Sequence, residues 1–176
     1  PAPYSPDNVP YKPKRHFEVS TEGVKEGDFT FIYGYPARTQ EYLHSEAVRY
    51  IAERGNPAKI GLRDVRLEII KAAMERDPQV RIQYAAKAAS VANAWKKWQG
   101  ETQGIVRLET VKRKQEQEAA FCRWAANRKE YRNVVPRLTE LYRSSEGNTF
   151  LRDYLQESVL AIEALKLAGR FEAVPE

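Results

Sequence analysis

The pattern of apolar, proline and glycine positions divides the chain into an extended first third and a helical remainder. Seven of the ten prolines precede Ile60, whereas residues 62–146 contain only Pro78 and Pro136. Proline lacks an amide hydrogen and therefore favours turns and extended chain over helix interiors. The predicted fold class is mainly α: an irregular helical bundle preceded by an extended arm and two short β-strands.

The two predicted strands lie in the first third. Residues 16–20 (HFEVS) and 28–35 (DFTFIYGY) are rich in aromatic and β-branched side chains, and turn-forming residues around Gly23 and Gly27 separate them. Residues 1–13 carry five prolines and predict an extended arm. Two strands are too few to be stable alone in water, so we expect the rest of a longer protein to supply their partners.

Apolar residues at spacings of three and four predict a series of helices from position 40 onward. The first two are predicted at 40–54, ending at Gly55-Asn56-Pro57, and at 62–76. Asp77 followed by Pro78 is typical of a helix start, so a third helix is predicted at 78–99, ending at Gly100. The remaining predicted helices are 103–127, 130 or 134 to 144, and 149–168, the last with Gly169 as its cap.

Composition excludes several classes of protein. The 176 residues include 29 basic and 24 acidic side chains, and no apolar run approaches the ~20 residues of a membrane span, which argues against a channel or transporter. The lone Cys122 excludes an intrachain disulfide, and with only His16 and His44 the chain is short of metal ligands. We therefore predict no metal site and no cofactor. The chain starts at Pro1 and its only methionine is Met74, so we expect an excised or processed piece of a longer protein.

A nucleophilic catalytic site is not apparent in the residues. No serine occupies the glycine-rich turn that exposes a nucleophile, and His16 and His44 are predicted to be surface or packing histidines. Cys122, beside Phe121 on a predicted apolar helix face, is predicted to be a small buried thiol. Residues 101–143 hold ten basic and six acidic side chains, which leaves open a non-enzymatic basic helical module that binds an acidic partner.

One predicted helix carries two neighbouring stripes of small or apolar residues. Over 82–99 the stripe of small residues ends at Asn93, while Trp95 and Trp98 belong to a neighbouring stripe and are predicted to be core anchors. Two interpretations of Asn93 are open from this pattern. It is either a core asparagine bonded to a neighbouring loop, or an amide that offers its carbonyl and N–H groups to a ligand.

Two long segments carry a resemblance to a known family. Residues 7–43 (DNVPYKPKRHFEVSTEGVKEGDFTFIYGYPARTQEYL) and 61–100 (GLRDVRLEIIKAAMERDPQVRIQYAAKAASVANAWKKWQG) strongly resemble the internal region of serine peptidase family forty-six. These are bacterial dipeptidyl-peptidases, including an Asp/Glu-specific type, that release dipeptides from peptide N-termini. The resemblance implies that residues 1–39 are an extended arm and strand remnant of a chymotrypsin-like β-barrel. Residues 40–176 would form an α-helical cap over the active-site cleft.

The resemblance also implies the roles of individual residues. The ANAWKKW segment places the asparagine that binds the substrate's free α-amino group at Asn93, whereas the catalytic triad would lie outside this chain, so no catalytic residue is assigned and the piece would be inactive alone. The implied partners are peptides with a free N-terminus and the remainder of the parent barrel, without nucleic acid or a membrane span. The parent would be periplasmic or at the cell surface, with a homodimer as one option, and its preference for acidic or hydrophobic residues at the cleavage site stays open.

Overall fold

The computed structural model describes residues 5–35 and 40–171, and the chain divides into two units, Pro1–Thr39 and Gln40–Glu176. In the first unit the described residues are irregular, and neither predicted strand, 16–20 or 28–35, is present. The apolar side chains of both segments, such as Phe17, Phe31 and Ile32, are exposed. The strand prediction is not borne out because a strand requires a hydrogen-bonded neighbour, and these two segments do not pair.

The second unit is mainly helical, as predicted, and contains six α-helices and one π-helical turn within residues 40–171. They are α1 (Ser45–Tyr50), the π-helical turn Ile51–Gly55, α2 (Asn56–Arg76), α3 (Pro78–Arg107), α4 (Thr110–Ala125), α5 (Val134–Ser158) and α6 (Glu163–Phe171). Helix α2 packs chiefly against α3, α5 contacts α1 and α2, and α4 contacts α1 and α3. In the described part of the chain, no helix is both long enough and apolar enough to cross a membrane.

The predicted stop at Gly55-Asn56-Pro57 is wrong, because α1, the π-helical turn and α2 run on without a break. The amide of Asn56 donates to the carbonyl of Ile51, five residues back, which widens the helix immediately before Pro57. Proline in an ordinary helix clashes with the carbonyl four residues earlier, and a wider turn relieves that clash. Pro57 is the second residue of α2, directly after the wide turn, which accommodates its ring without ending the helix.

Two other predicted boundaries also move because tertiary contacts hold glycines inside helices. Helix α3 starts at Pro78 as predicted, with Asp77 accepting from the amide of Gln79 at 2.7 Å, but it continues through Gly100 to Arg107. Beside Gly100, the Asn56 side chain donates to the Trp98 carbonyl and to Glu101, which holds that turn in helical form. Residues 103–107 therefore belong to α3, and the chain breaks instead at residue 109, which has a left-handed backbone.

The two helices predicted around residues 145–148 are one continuous helix, α5. Glu146 accepts from Arg49 and Arg54, and the guanidinium of Arg54 lies 4.7 Å from the ring centroid of Phe150. Gly147 thus sits between two residues that are fixed to the same neighbouring helical segment. The break comes later, before α6, and Gly169 lies within α6 rather than capping it.

An arginine on α2 joins three helices. Arg63 donates two parallel hydrogen bonds to Glu157 of α5, at 2.8 and 2.9 Å, and a third to the carbonyl of Val91 on α3, at 2.9 Å. Its guanidinium also lies 4.4 Å from the ring centroid of Trp98. Arg63 and Glu157 are each only 14% exposed, so this pair is shielded from solvent and its geometry is bidentate, the strong form of such contacts.

A second network of charges holds α1 and the π-helical turn against α5. Glu46 accepts from Arg49 on its own helix and, at 2.7 and 3.0 Å, from Arg143 of α5. These hydrogen bonds, Arg143 first, lower the pKa of Glu46 below its ordinary value of 4.5. Hydrogen bonds from Arg54 and Arg49 likewise lower the pKa of Glu146. Both carboxylates therefore favour the folded state only while they are ionised.

Replacing Arg63 tests its role in joining the helices. We expect Arg63→Leu to reduce the free energy of unfolding of this chain by about 3 kcal/mol, because it leaves Glu157 shielded and unpaired. The free energy of unfolding of Arg63→Lys should lie between those of the unmodified chain and Arg63→Leu, since lysine keeps the charge without the bidentate geometry. The exposed Arg152, which pairs with Asp153 at 3.7 Å, is the matched control, and Arg152→Leu should cost less than about 1 kcal/mol in urea unfolding followed by helical circular dichroism. Equal losses at the two arginines would contradict this role.

The pKa directions predict an acid-sensitive fold. A carboxylate whose pKa is lowered on folding contributes stability that is present above its unfolded pKa and is lost as pH falls through the folded value. The free energy of unfolding should therefore decline as pH falls below about 4.5, and Glu46→Gln should make that decline shallower. Urea unfolding across this pH range measures it, with the exposed Glu116→Gln as control. An unchanged slope in Glu46→Gln would show that the network is not responsible.

Candidate functional site

Asn93 lies on the outward face of α3. Val91 and Trp95, two positions to either side of it, belong to the face that packs on α2, and Val91 is only 6% exposed. Residues two positions apart in an α-helix lie about 200° apart around its axis, so Asn93 points away from α2. Its side chain is exposed.

The backbone on either side of Asn93 is held by two polar contacts from α2. Arg63 donates to the carbonyl of Val91 at 2.9 Å, and the indole N–H of Trp95 donates to Asp64 at 2.6 Å. Both contacts lie within one helical turn of Asn93. The asparagine is thus presented from a helix whose position is fixed, the condition under which one amide can contribute to a defined binding geometry.

A groove of about 550 Å³ runs between α2 and α3, and Asn93 is not among the residues that line it. Ala88, Ala89 and Ala92 form part of its α3 wall, and the other lining residues are Leu67, Lys71, Met74, Glu75, Pro78 and Arg81. Asn93 directly follows Ala92 and lies one turn beyond Ala89. The small alanine side chains leave room at this helix surface, and the groove carries charges of both signs.

The structure decides between the two interpretations of Asn93 as far as packing is concerned. The Asn93 side chain is exposed and has no hydrogen-bond partner among the described residues, so it is not part of the core of this helical unit. The stripe it belongs to is exposed as well, with Ile82 75% exposed. An exposed amide on a fixed helix offers one carbonyl acceptor and two N–H donors to an incoming group.

The prediction that Trp95 and Trp98 are core anchors is confirmed in part, because both side chains contact α2 but each is only half-buried. Trp98 lies under two cations of α2, with Lys59 4.7 Å and Arg63 4.4 Å from its ring centroid. Trp95 is held by its hydrogen bond to Asp64. Burial beside Trp98 lowers the pKa of Lys59. Both rings are therefore committed to the contact between α2 and α3 rather than to a ligand.

The prediction of a packing histidine is confirmed for His44. Its Nδ1 accepts from the amide of Glu46 at 3.2 Å and so caps α1, its ring stacks on Tyr142, and its Nε2 lies 3.3 Å from the hydroxyl of Thr139. The neighbouring Ser45 donates instead to the carboxylate of Glu118, at 2.6 Å. The serine and histidine side chains are therefore not arranged as nucleophile and base.

The other predicted candidates lie outside this site. His16 is exposed in the first unit, and Cys122 is half-buried on α4 rather than fully buried. Over residues 5–35 and 40–171, no three histidine, cysteine or acidic side chains are grouped as metal ligands would be.

Sequence reasoning missed Asn56, the largest fully buried side chain among the described residues. Its Nδ2 lies 3.0 Å from Glu101 and 3.2 Å from Thr102, and its Oδ1 has no partner among those residues. The signal was present, since an asparagine before Pro57 also suits the first turn of a helix. The Gly55-Asn56-Pro57 run nevertheless favours a stop, because proline so often ends a helix.

Comparison with known proteins decides the family. The sequence profile of Peptidase S46 matches residues 1–175. The chain belongs to the peptidase S46 family. Among curated relatives of this S46 chain, the Asp/Glu-specific dipeptidyl-peptidase of Capnocytophaga gingivalis is 46% identical over 162 residues, which is 90% of this chain and 23% of the relative.

Two further relatives show the same partial coverage. The Asp/Glu-specific dipeptidyl-peptidase of Flavobacterium psychrophilum is 44% identical over 91% of this chain and 23% of its own length. Dipeptidyl-peptidase 7 of Porphyromonas endodontalis is 36% identical over 99% of this chain and 22% of its own length. The S46 chain thus spans less than a quarter of the curated relatives that it matches.

Proposed function

We propose that this S46 chain is part of a serine dipeptidyl-peptidase that releases dipeptides from peptide N-termini. Its helical unit would form the cap over the active site, and Asn93 would bind the α-amino group of the substrate. The relatives are named as dipeptidyl-peptidases, which supports the reaction class, and the outward, fixed position of Asn93 supports its role. Alone, the chain would be inactive, because the catalytic residues would come from elsewhere in the protein.

The proposed role of Asn93 follows from the chemistry of an ammonium group. An ammonium has donors only, so it requires oxygen acceptors such as the Oδ1 of Asn93. A helix wall that carries this acceptor would fix how far a peptide can enter the cleft. Placed two residues from the scissile bond, it would admit a dipeptide and reject longer N-terminal extensions. The rigid contacts of Val91 and Trp95 with α2 would keep that distance constant.

The first unit fits the same proposal. Residues 16–20 and 28–35 have the composition of strands, and aromatic side chains such as Phe17 and Phe31 are exposed among the described residues. We expect both segments to form strands of the parent barrel, where neighbouring strands would satisfy their backbone groups. We also place the parent protein in the periplasm or at the cell surface, and peptides with a free N-terminus and the barrel are its proposed partners.

Replacing Asn93 in the intact protein tests the proposed function. Asn93→Ala should lower kcat/KM for a dipeptidyl reporter substrate. The fall should correspond to a loss of about 1.5 to 3 kcal/mol of transition-state stabilisation, the range for a hydrogen bond to a charged group. Asn93→Asp should retain more activity, because a carboxylate is also an acceptor. The same change at Asn148, an exposed asparagine of α5, is the matched control and should leave the kinetics unchanged.

A blocked substrate separates amine binding from other effects. The intact protein should prefer a reporter with a free α-amino group over its N-acetyl form, and Asn93→Ala should reduce that preference. Unchanged kinetics in Asn93→Ala would remove Asn93 from the substrate-binding surface. An intact protein that cleaves neither reporter would contradict the proposed activity itself.

A further inference from the structure

The connection between α4 and α5 is a compact, turn-rich segment, here called the α4–α5 corner and defined as residues 123–137. The amide of Arg128 donates to Ala125 at 2.8 Å, that of Arg132 donates to Arg128 at 3.0 Å, and that of Val134 donates to Tyr131 at 3.0 Å. These short-range hydrogen bonds hold the side chains of the corner close together in space.

The corner is strongly basic, and most of its cations are unused within the fold. It holds five basic side chains and one acidic side chain, Glu130. All five cations are exposed, and in the part of the chain that the structure describes none of them forms an ion pair. Arg128 donates to the carbonyl of Trp124, which leaves four cations whose side chains have no polar partner there: Arg123, Lys129, Arg132 and Arg137. By contrast, Arg49, Arg54 and Arg63 all serve ion pairs within the helical unit.

Exposed aromatic rings accompany these cations. Trp124 is 50% exposed and Tyr131 is 44% exposed, and their ring centroids lie 5.6 Å apart. The ring centroid of Phe121 lies 5.5 Å from that of Trp124. The guanidinium of Arg128 lies 4.1 Å from the Trp124 centroid. The rings form a fixed cluster that still presents apolar surface to its surroundings.

The apolar surface continues along the first turns of α5. Val134, Leu138 and Leu141 follow Tyr131 at spacings of three, four and three, and all three side chains are more than a third exposed. Residues at these spacings lie on one face of a helix. The corner and the first turns of α5 therefore combine exposed apolar side chains with exposed cations, the pattern of a surface that binds at the boundary between lipid headgroups and acyl chains.

We propose that the α4–α5 corner binds the surface of an anionic phospholipid membrane. The free cations would contact headgroup phosphates, and Trp124 and Tyr131 would lie at headgroup level, where amphipathic rings are favoured. A nucleic acid fits less well, because its bases require open ring faces to stack on, whereas Arg128 already covers a face of Trp124. This role goes beyond the proposed peptidase function and does not depend on it.

Vesicle binding by the intact protein tests the proposal. The probes are vesicles of phosphatidylcholine with phosphatidylglycerol and vesicles of phosphatidylcholine alone. We expect binding to the anionic vesicles only, and a loss of roughly tenfold to thirtyfold in the double variant Lys129→Gln/Arg132→Gln. Trp124→Ala should weaken binding as well. The matched control is Arg76→Gln/Arg107→Gln, which removes two exposed charges from α2 and α3 and should bind like the unmodified protein.

Other results would overturn the proposal. They are equal binding to the two kinds of vesicle, equal losses in the test and control variants, or tighter binding of the corner to duplex DNA or polyglutamate than to anionic vesicles. Circular dichroism of each variant confirms that the helices are intact. Hydrolysis of the dipeptidyl reporter is measured in parallel, so that a failure of membrane binding is distinguished from a failure of the peptidase proposal.

Discussion

The arrangement of the helical unit depends on Arg63. This one side chain contacts Glu157 on α5, the Val91 carbonyl on α3 and the face of Trp98, and it does so from the middle of α2. Few large side chains are fully buried in this unit, so the apolar core alone is a weak determinant of how its helices are placed. A shielded guanidinium with a planar set of donors can specify three neighbours at once, which an apolar contact of the same area cannot. The geometry of α3, and of any residue displayed on it, follows from that contact.

The two faces of α3 have different surroundings. The inner face, with Val91, Trp95 and Trp98, packs against α2. The outer face, with Ile82 and Asn93, has no partner among the described residues. Apolar and small residues on an exposed helix face usually meet another surface in the complete molecule. In a chain that spans 23% of a curated relative, that surface can come from the remaining part of the protein.

The helical class could be predicted from the sequence, because periodic apolar positions and the Asp77-Pro78 start signal act locally. The continuity of α3 through Gly100 and of α5 through Gly147 could not, since contacts from distant residues such as Asn56 and Arg54 hold those turns in helical form. The absence of strands at 16–20 and 28–35 could not be predicted either, because the local pattern does not show whether a segment has a neighbour to pair with.

The difference between local pattern and distant contacts also applies to the candidate site. Spacing placed Asn93 on a helix and on the same face as the alanine stripe. The pattern alone did not say which of the two stripes on α3 is buried, since both contain apolar residues. Packing decided it, through the indole of Trp95 and the carbonyl of Val91. The family resemblance supplied the expected role of Asn93, which no periodicity could have indicated.

The most direct measurement is a crystal structure of the intact protein with a dipeptide bound. The central claim predicts that the Oδ1 of Asn93 lies within hydrogen-bond distance, about 2.7 to 3.2 Å, of the dipeptide's ammonium nitrogen. It also predicts that Arg63 still bonds to Val91 and Glu157 in that complex. A dipeptide whose amine is bound by other groups while Asn93 faces solvent would contradict it.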